Sequence, residues 1–319
     1  MNALDAIMLG AILVAGLVVR SLATLLAYTP TLDTGTVGLM ACHILEGQRP
    51  LYFYGQGYMG ALEAYVAAGL AACFGPSPYV VNLAPILFSL GWIVVSWKVV
   101  ASLYGRAAGL TMAALLALPP WHVLWYSMSS YGGYPEAWFL GVAVIAGALY
   151  LVRTSDHRPG GYVLLGLGTG LGFWVNPQSL MYAGVGWLIL SAQVPLRRRY
   201  AWAGLAIATA SALLFILPAL SHAGAGQSNL TTWSLAPSDW ARRFRAFVVP
   251  GLQALTWSRE PVAPLWSLTL AAATAAAAIA ATAWTLLSRT GTERLLRCAP
   301  LAVVVVSLGL ALPLSMADE

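Results

Sequence analysis

The sequence predicts an all-α fold, a polytopic transmembrane bundle of about nine spans with an external juxtamembrane helical first loop. Three observations carry this expectation: the scarcity of charge, the recurrence of apolar windows, and the placing of basic residues between them. Of 319 residues, 60% are hydrophobic and 8% charged, and the mean hydropathy is +0.76, whereas a soluble globular domain carries roughly a quarter charged residues. Residues 1–319 therefore read as a single membrane domain.

A hydrocarbon core about 30 Å thick asks for roughly 20 apolar residues in a helix. Apolar windows run from Ala6 to Tyr28, Tyr79 to Trp97, Ala107 to Tyr126, Ala137 to Val152, Gly161 to Val175, Met181 to Val194, Trp202 to Leu220, Val262 to Leu287 and Ala299 to Met316. The first of them follows Asp5 with no Lys or Arg before it and is long for the apolar core of a secretory signal, so it reads as a retained span. Pro119-Pro120 lies inside the third window, where neighbouring helices are expected to cover the freed backbone groups.

Orientation comes from the basic residues. Lys98 with Arg106, Arg153 with Arg158, Arg197 to Arg199, and Arg289, Arg294 and Arg297 account for ten of the 16 Lys and Arg. Cytoplasmic loops are enriched in such residues. The short window Gly60 to Cys73 contains Glu63. If it lies along the interface rather than crossing, all four clusters and the N-terminus fall on one side. The expected protein is thus a multi-pass component of the plasma or bacterial inner membrane with a cytoplasmic N-terminus. Asp33, the stretch Tyr131 to Glu136, Asn176 to Leu180 and the loop Ser221 to Pro261 then share the opposite, external face. The net charge of +5 is explained by this topology, with no nucleic-acid partner. Cys42, Cys73 and Cys298 have no metal-ligand spacing.

Chemistry concentrates after the first span. Asp33 precedes a helical pattern of Val37, Met40, Ile44 and Leu45 that ends at Gly47, so it can cap that helix or offer its carboxylate to a cavity. Tyr52, Phe53, Tyr54 and Tyr58 alternate with Gly55, Gln56 and Gly57. Rings of this kind belong to an interfacial aromatic belt and also stack on sugar faces. Glu63 follows, and Glu136 closes the run Tyr131-Gly132-Gly133-Tyr134-Pro135-Glu136 where a span begins. An acid entering a membrane helix is costly and points to function, although one in the first turn also complements the helix dipole. In the long external loop, Arg242, Arg243 and Arg245 lie on an amphipathic pattern and suit either phosphate oxygens or lipid headgroups.

Taken together, Asp33, Gly38-Leu39-Met40-Ala41, His43-Ile44-Leu45-Glu46-Gly47, Tyr54-Gly55-Gln56 and Leu62-Glu63-Ala64 resemble the first external loop of C-type glycosyltransferases. The likeness is to bacterial enzymes of the protein O-mannosyltransferase and aminoarabinose-transferase kind (family 39-like), and Gly132 to Glu136 and Gly172-Phe173-Trp174-Val175-Asn176-Pro177 add to it. The resemblance implies transfer of a sugar from a polyprenyl-phosphate donor to an acceptor hydroxyl on the non-cytoplasmic side, in the cell envelope. It implies Asp33 as the catalytic carboxylate, with Glu136, Glu63, Tyr54, Gln56 and Tyr134 as acceptor, donor or metal candidates. Phosphate binding falls to Arg242, Arg243 and Arg245, and a divalent metal ion, if one takes part, to Asp33 and Glu136. Thr34 stands where such enzymes often place a second acid. Because relatives continue through further spans or a soluble domain, a C-terminally shortened member is expected. A transporter or flippase of a lipid-linked saccharide and a non-catalytic membrane subunit are the rival readings. A transporter predicts charged or broken-helix residues deep in several spans, whereas Arg20 is the only basic residue well inside one.

Overall fold

The computed structural model describes residues 3–27, 31–154, 158–193 and 199–225. The chain divides into two compact units, Met1–Leu118 with Trp125–Ser228, and Pro119–Leu124 with Asn229–Glu319; the packing below is that of the first. Helix dominates: α1 (Ala3–Ala27), α2 (Leu32–Leu45), α3 (Leu62–Phe74), α4 (Pro78–Tyr104), α5 (Arg106–Ala117), α6 (Trp121–Met128), α7 (Tyr134–Thr154), α8 (Pro159–Val175), α9 (Ser179–Gln193) and α10 (Arg199–Ala225).

Among the described residues the apolar windows up to Leu220 are helical except for the break after Ala117, but the expected span count is not reached. Three helices, α1, α4 and α7, are long and apolar enough to cross a membrane, and the bent pair α5 with α6 makes a fourth if it counts as one span. Proline explains the break: Pro119 and Pro120 cannot supply the amide donors that would carry α5 onward. The helices α8 and α9 have 17 and 15 residues, a rise of about 22 to 26 Å, short of a bilayer core. Windows Val262 to Leu287 and Ala299 to Met316 lie outside the described residues.

The fold is mostly helical, as expected, with one small strand pair among the described residues. The aromatic stretch after Pro50 forms a small antiparallel hairpin, β1 (Tyr52–Phe53) with β2 (Gln56–Gly60), turning at Gly55 with φ 79°. Alternating rings and glycines suit a pleated, half-buried ribbon better than a helix. Phe53 and Met59 of the hairpin pack with Val37, Met40 and Ala41 of α2, Ala64, Ala67 and Ala68 of α3, and Val81 and Ala84 of α4. This core holds the first loop on the bundle. With 13 residues, α3 rises only about 20 Å, in keeping with a helix that does not cross.

Three contacts set the direction of the helices. Asp5, near the start of α1, pairs with Arg106 at the start of α5. Near the other end of α1, the Thr24 hydroxyl donates to the Met128 carbonyl at 3.1 Å. There the Asn82 amide oxygen near the start of α4 accepts the Ser130 N–H at 2.9 Å, shortly before α7 begins. Hence α4 and α7 run parallel, away from the Ser129–Gly133 loop and towards Lys98 and Arg153.

Arg20 is wholly buried in α1. Its guanidinium donates to the carbonyls of Leu116 (2.9 Å) and Ala117 (3.2 Å), the last residues of α5, and to Gly16 (3.1 Å). A helix that stops inside a bundle leaves its final carbonyls without donors, and a cation at the C-terminal end also complements the dipole. Arg20 therefore closes the α5 break. Elsewhere, α8 and α10 approach backbone to backbone through Gly166 and Gly170: an added Cβ would lie 2.1 Å from the Ala208 carbonyl oxygen and 2.5 Å from that of Ala212. This is small-residue packing of the kind membrane helices use.

Candidate functional site

Thr31, not Asp33, caps α2. It has extended backbone (φ −108°, ψ 163°), and its hydroxyl accepts the Thr34 N–H at 3.2 Å. Asp33 falls in the first turn, where a carboxylate complements the dipole while its side chain stays available. Half-buried, it accepts a hydrogen bond from Gln56 Nε2 at 3.1 Å. Gln56 is oriented in turn by the Tyr58 hydroxyl, which donates to Gln56 Oε1 at 2.8 Å. Burial raises the Asp33 carboxyl above the usual range, and the Gln56 bond opposes this.

Glu63 opens α3 and is buried. Its Oε2 accepts two consecutive backbone amides, Gly132 N–H at 2.7 Å and Gly133 N–H at 2.9 Å. Successive N–H groups converge on one oxygen only where the chain bends back, and these glycines have φ 81° and 112°. Such a nest binds anions. There is no room for larger residues: a Cβ on Gly132 would lie 2.7 Å from Phe53, and one on Gly133 3.0 Å from Val175. Burial nonetheless pushes the Glu63 carboxyl up to about 7, against the Ser130 hydroxyl and the two amides, with the charge of Asp33 adding to the rise.

Glu136, in the first turn of α7, is completely buried, and neither of its oxygens has a hydrogen-bond partner. Glu63 Oε1, Asn82 Nδ2 and Ser129 Oγ are likewise buried without partners. Asp33, Glu63 and Glu136 thus run from a half-exposed carboxyl to two enclosed ones.

Tyr134 stands at the start of α7 with its ring centroid 4.6 Å from that of Tyr126, whose ring lies 5.1 Å from that of Tyr131. The second motif also packs here: Trp174 covers Gly60, and Asn176 Nδ2 lies 3.7 Å from Met59 Sδ. A groove of about 320 Å³ lined by Thr31, Thr34, Gly35, Gly38 and Pro78 runs beside the turn that carries Asp33.

Not every expected residue joins the cluster. The Tyr54 hydroxyl bonds His43 Nδ1 at 3.2 Å, and His43 lies ten residues, about 15 Å of helical rise, along α2 from Asp33. A metal held by Asp33 and Glu136 does not fit. Asp33 is engaged by Gln56, Glu136 is enclosed beside Glu63, and no group of three His, Cys, Asp or Glu able to hold a metal occurs among the described residues. Arg242, Arg243 and Arg245 lie outside the described residues. Sequence reasoning missed the amide cradle and the capping role of Thr31. The tandem Gly132-Gly133 was visible, but nothing nearby in sequence says that its amides meet Glu63, 69 and 70 residues away. No protein-family model, curated protein or solved structure matches the chain.

Proposed function

We propose that the chain is a membrane glycosyltransferase that moves a sugar from a polyprenyl-phosphate donor to an acceptor hydroxyl, with Asp33 as general base. The observation that carries the reading is the Asp33 carboxylate, half-exposed on a helix terminus, oriented by Gln56 and Tyr58 and raised by burial towards the range in which a base accepts a proton. The acceptor O–H gives its proton to Asp33 as its oxygen attacks the sugar C1, and the C1–O bond to phosphate breaks with its electron pair leaving on the phosphate. The apolar groove beside Thr34 and Gly35 suits the isoprenoid chain. Arg242, Arg243 and Arg245 are assigned to the departing phosphate by their charge.

General-base assistance is worth about 10² to 10⁴ in rate. Asp33→Asn should lower transfer from radiolabelled polyprenyl-phosphate sugars in membranes by that factor while membrane insertion is unchanged. Transfer near the original rate would remove Asp33 from the reaction.

The enclosed Glu136, unpartnered in a candidate span, favours a second reading: an ion-coupled transporter of a lipid-linked saccharide. Proteoliposomes distinguish the two. Proton-driven movement of the saccharide without new glycosidic bonds, abolished by Glu136→Gln, is expected of the transporter only.

A further inference from the structure

At the opposite end of α4 and α7 from the acid cluster lies a second feature that sugar transfer does not use. A cavity of about 220 Å³ is lined by Lys98, Ser102, Tyr150, Arg153 and Thr154. It adjoins a larger groove of about 380 Å³ to which Lys98 and Tyr150 also contribute, with Gly147 of α7 and Leu164 and Gly168 of α8 forming an apolar floor. We propose that this cleft between α4, α7 and α8 is a binding site for an anionic phospholipid, with the phosphate between Lys98 and Arg153 and an acyl chain along the groove.

Charge complementarity selects the occupant. No acidic residue lines either cavity. Asp5, the acid at this end of the bundle among the described residues, is taken by Arg106. Lys98 and Arg153 therefore have no ion-pair partner among the described residues. Of the lining hydroxyls, Ser102 is committed to the Val99 carbonyl at 2.7 Å and Thr154 to the Tyr150 carbonyl at 2.8 Å. The donors left for a ligand are thus the Tyr150 phenol, the Lys98 ammonium and the Arg153 guanidinium, the last a planar fork that matches phosphate oxygens.

Depth selects a lipid over a free anion. Arg153 is 17 residues from Glu136 on α7, about 26 Å along the helix. The whole of α7, 21 residues, rises about 31 Å and matches a bilayer core, so a core that begins with α7 ends near Arg153, with the cations at headgroup level and the apolar groove beneath them. Basic pockets between membrane helices bind acidic headgroups in this way.

The test is native mass spectrometry of the full chain, purified in detergent, delipidated and offered equal amounts of phosphatidylglycerol and phosphatidylcholine with identical chains. Two cations at the surface should give about a tenfold or greater preference for phosphatidylglycerol, and Lys98→Gln with Arg153→Gln should abolish it. Gly147→Leu fills the groove from a position where a Cβ meets nothing within 4 Å, so the helix is retained while binding of both lipids falls. Equal retention by the unmodified protein overturns the proposal. So do a preference that survives the double substitution, lipid binding unchanged by Gly147→Leu, and displacement of phosphatidylglycerol by inorganic phosphate at equal concentration.

Discussion

Glu63 carries opposing influences on one carboxyl group. Two glycine amides favour its charged form, while burial and the charge of Asp33 disfavour it, and burial wins. The stability consequence has a definite sign. The folded carboxyl titrates near 7 against 4.5 in the unfolded chain, so the folded state keeps a proton that the unfolded state has lost. Its contribution to stability is therefore fully present below pH 4.5 and is lost as pH rises towards 7. Thermal unfolding in detergent across this window should show the decline. Glu63→Gln, which can still accept from both amides, should flatten it. At Gly133, φ 112° and the Val175 contact predict that Gly133→Ala costs about 1 to 3 kcal/mol, read as a lower melting temperature. Arg20 illustrates a different lesson. It was the only basic residue read well inside a span, where a transporter would place charges in several, and its partners are the Leu116, Ala117 and Gly16 carbonyls. Arg20→Met should destabilise the bundle by roughly 2 to 4 kcal/mol and leave Asp33 chemistry intact; a substitution without effect on unfolding would contradict the closing role.

Among the elements, α2 was the most legible in the sequence. Its apolar spacing and Gly47 gave its extent, because helix periodicity and glycine termination are local properties. Its cap was not legible, since Thr31 and Asp33 are both capping residue types and only the backbone decides between them. The hairpin was read only as an aromatic belt: alternation of rings and glycines over so few residues fits several local structures, and its pairing depends on α2, α3 and α4 beneath it. For α8 and α10, the close approach at Gly166 predicts that Gly166→Val forces the helices apart. A loss of more than about 2 kcal/mol is expected from overpacking, measured by thermal unfolding.

For the whole molecule, the Asp5–Arg106 pair and the Thr24–Met128 contact put the start of α1 with the basic residues and its end with the acids. Thiol labelling of intact cells tests the orientation. In a chain with Cys42, Cys73 and Cys298 replaced by Ser, Gln48→Cys should react with a membrane-impermeant reagent, and Arg158→Cys should react only after permeabilisation. Reversed labelling would invert the positive-inside assignment. The sequence by itself determined that the chain is apolar, helical and punctuated by basic residues, because hydropathy and periodicity are written residue by residue. Only the tertiary structure decided that Asp33, Glu63 and Glu136 form one graded series, that Tyr54 stands apart and that Arg20 closes a helix. Each of those facts depends on partners tens of residues away, and burial, which sets the energy of a charge in such a bundle, belongs to the packed assembly rather than to any residue alone.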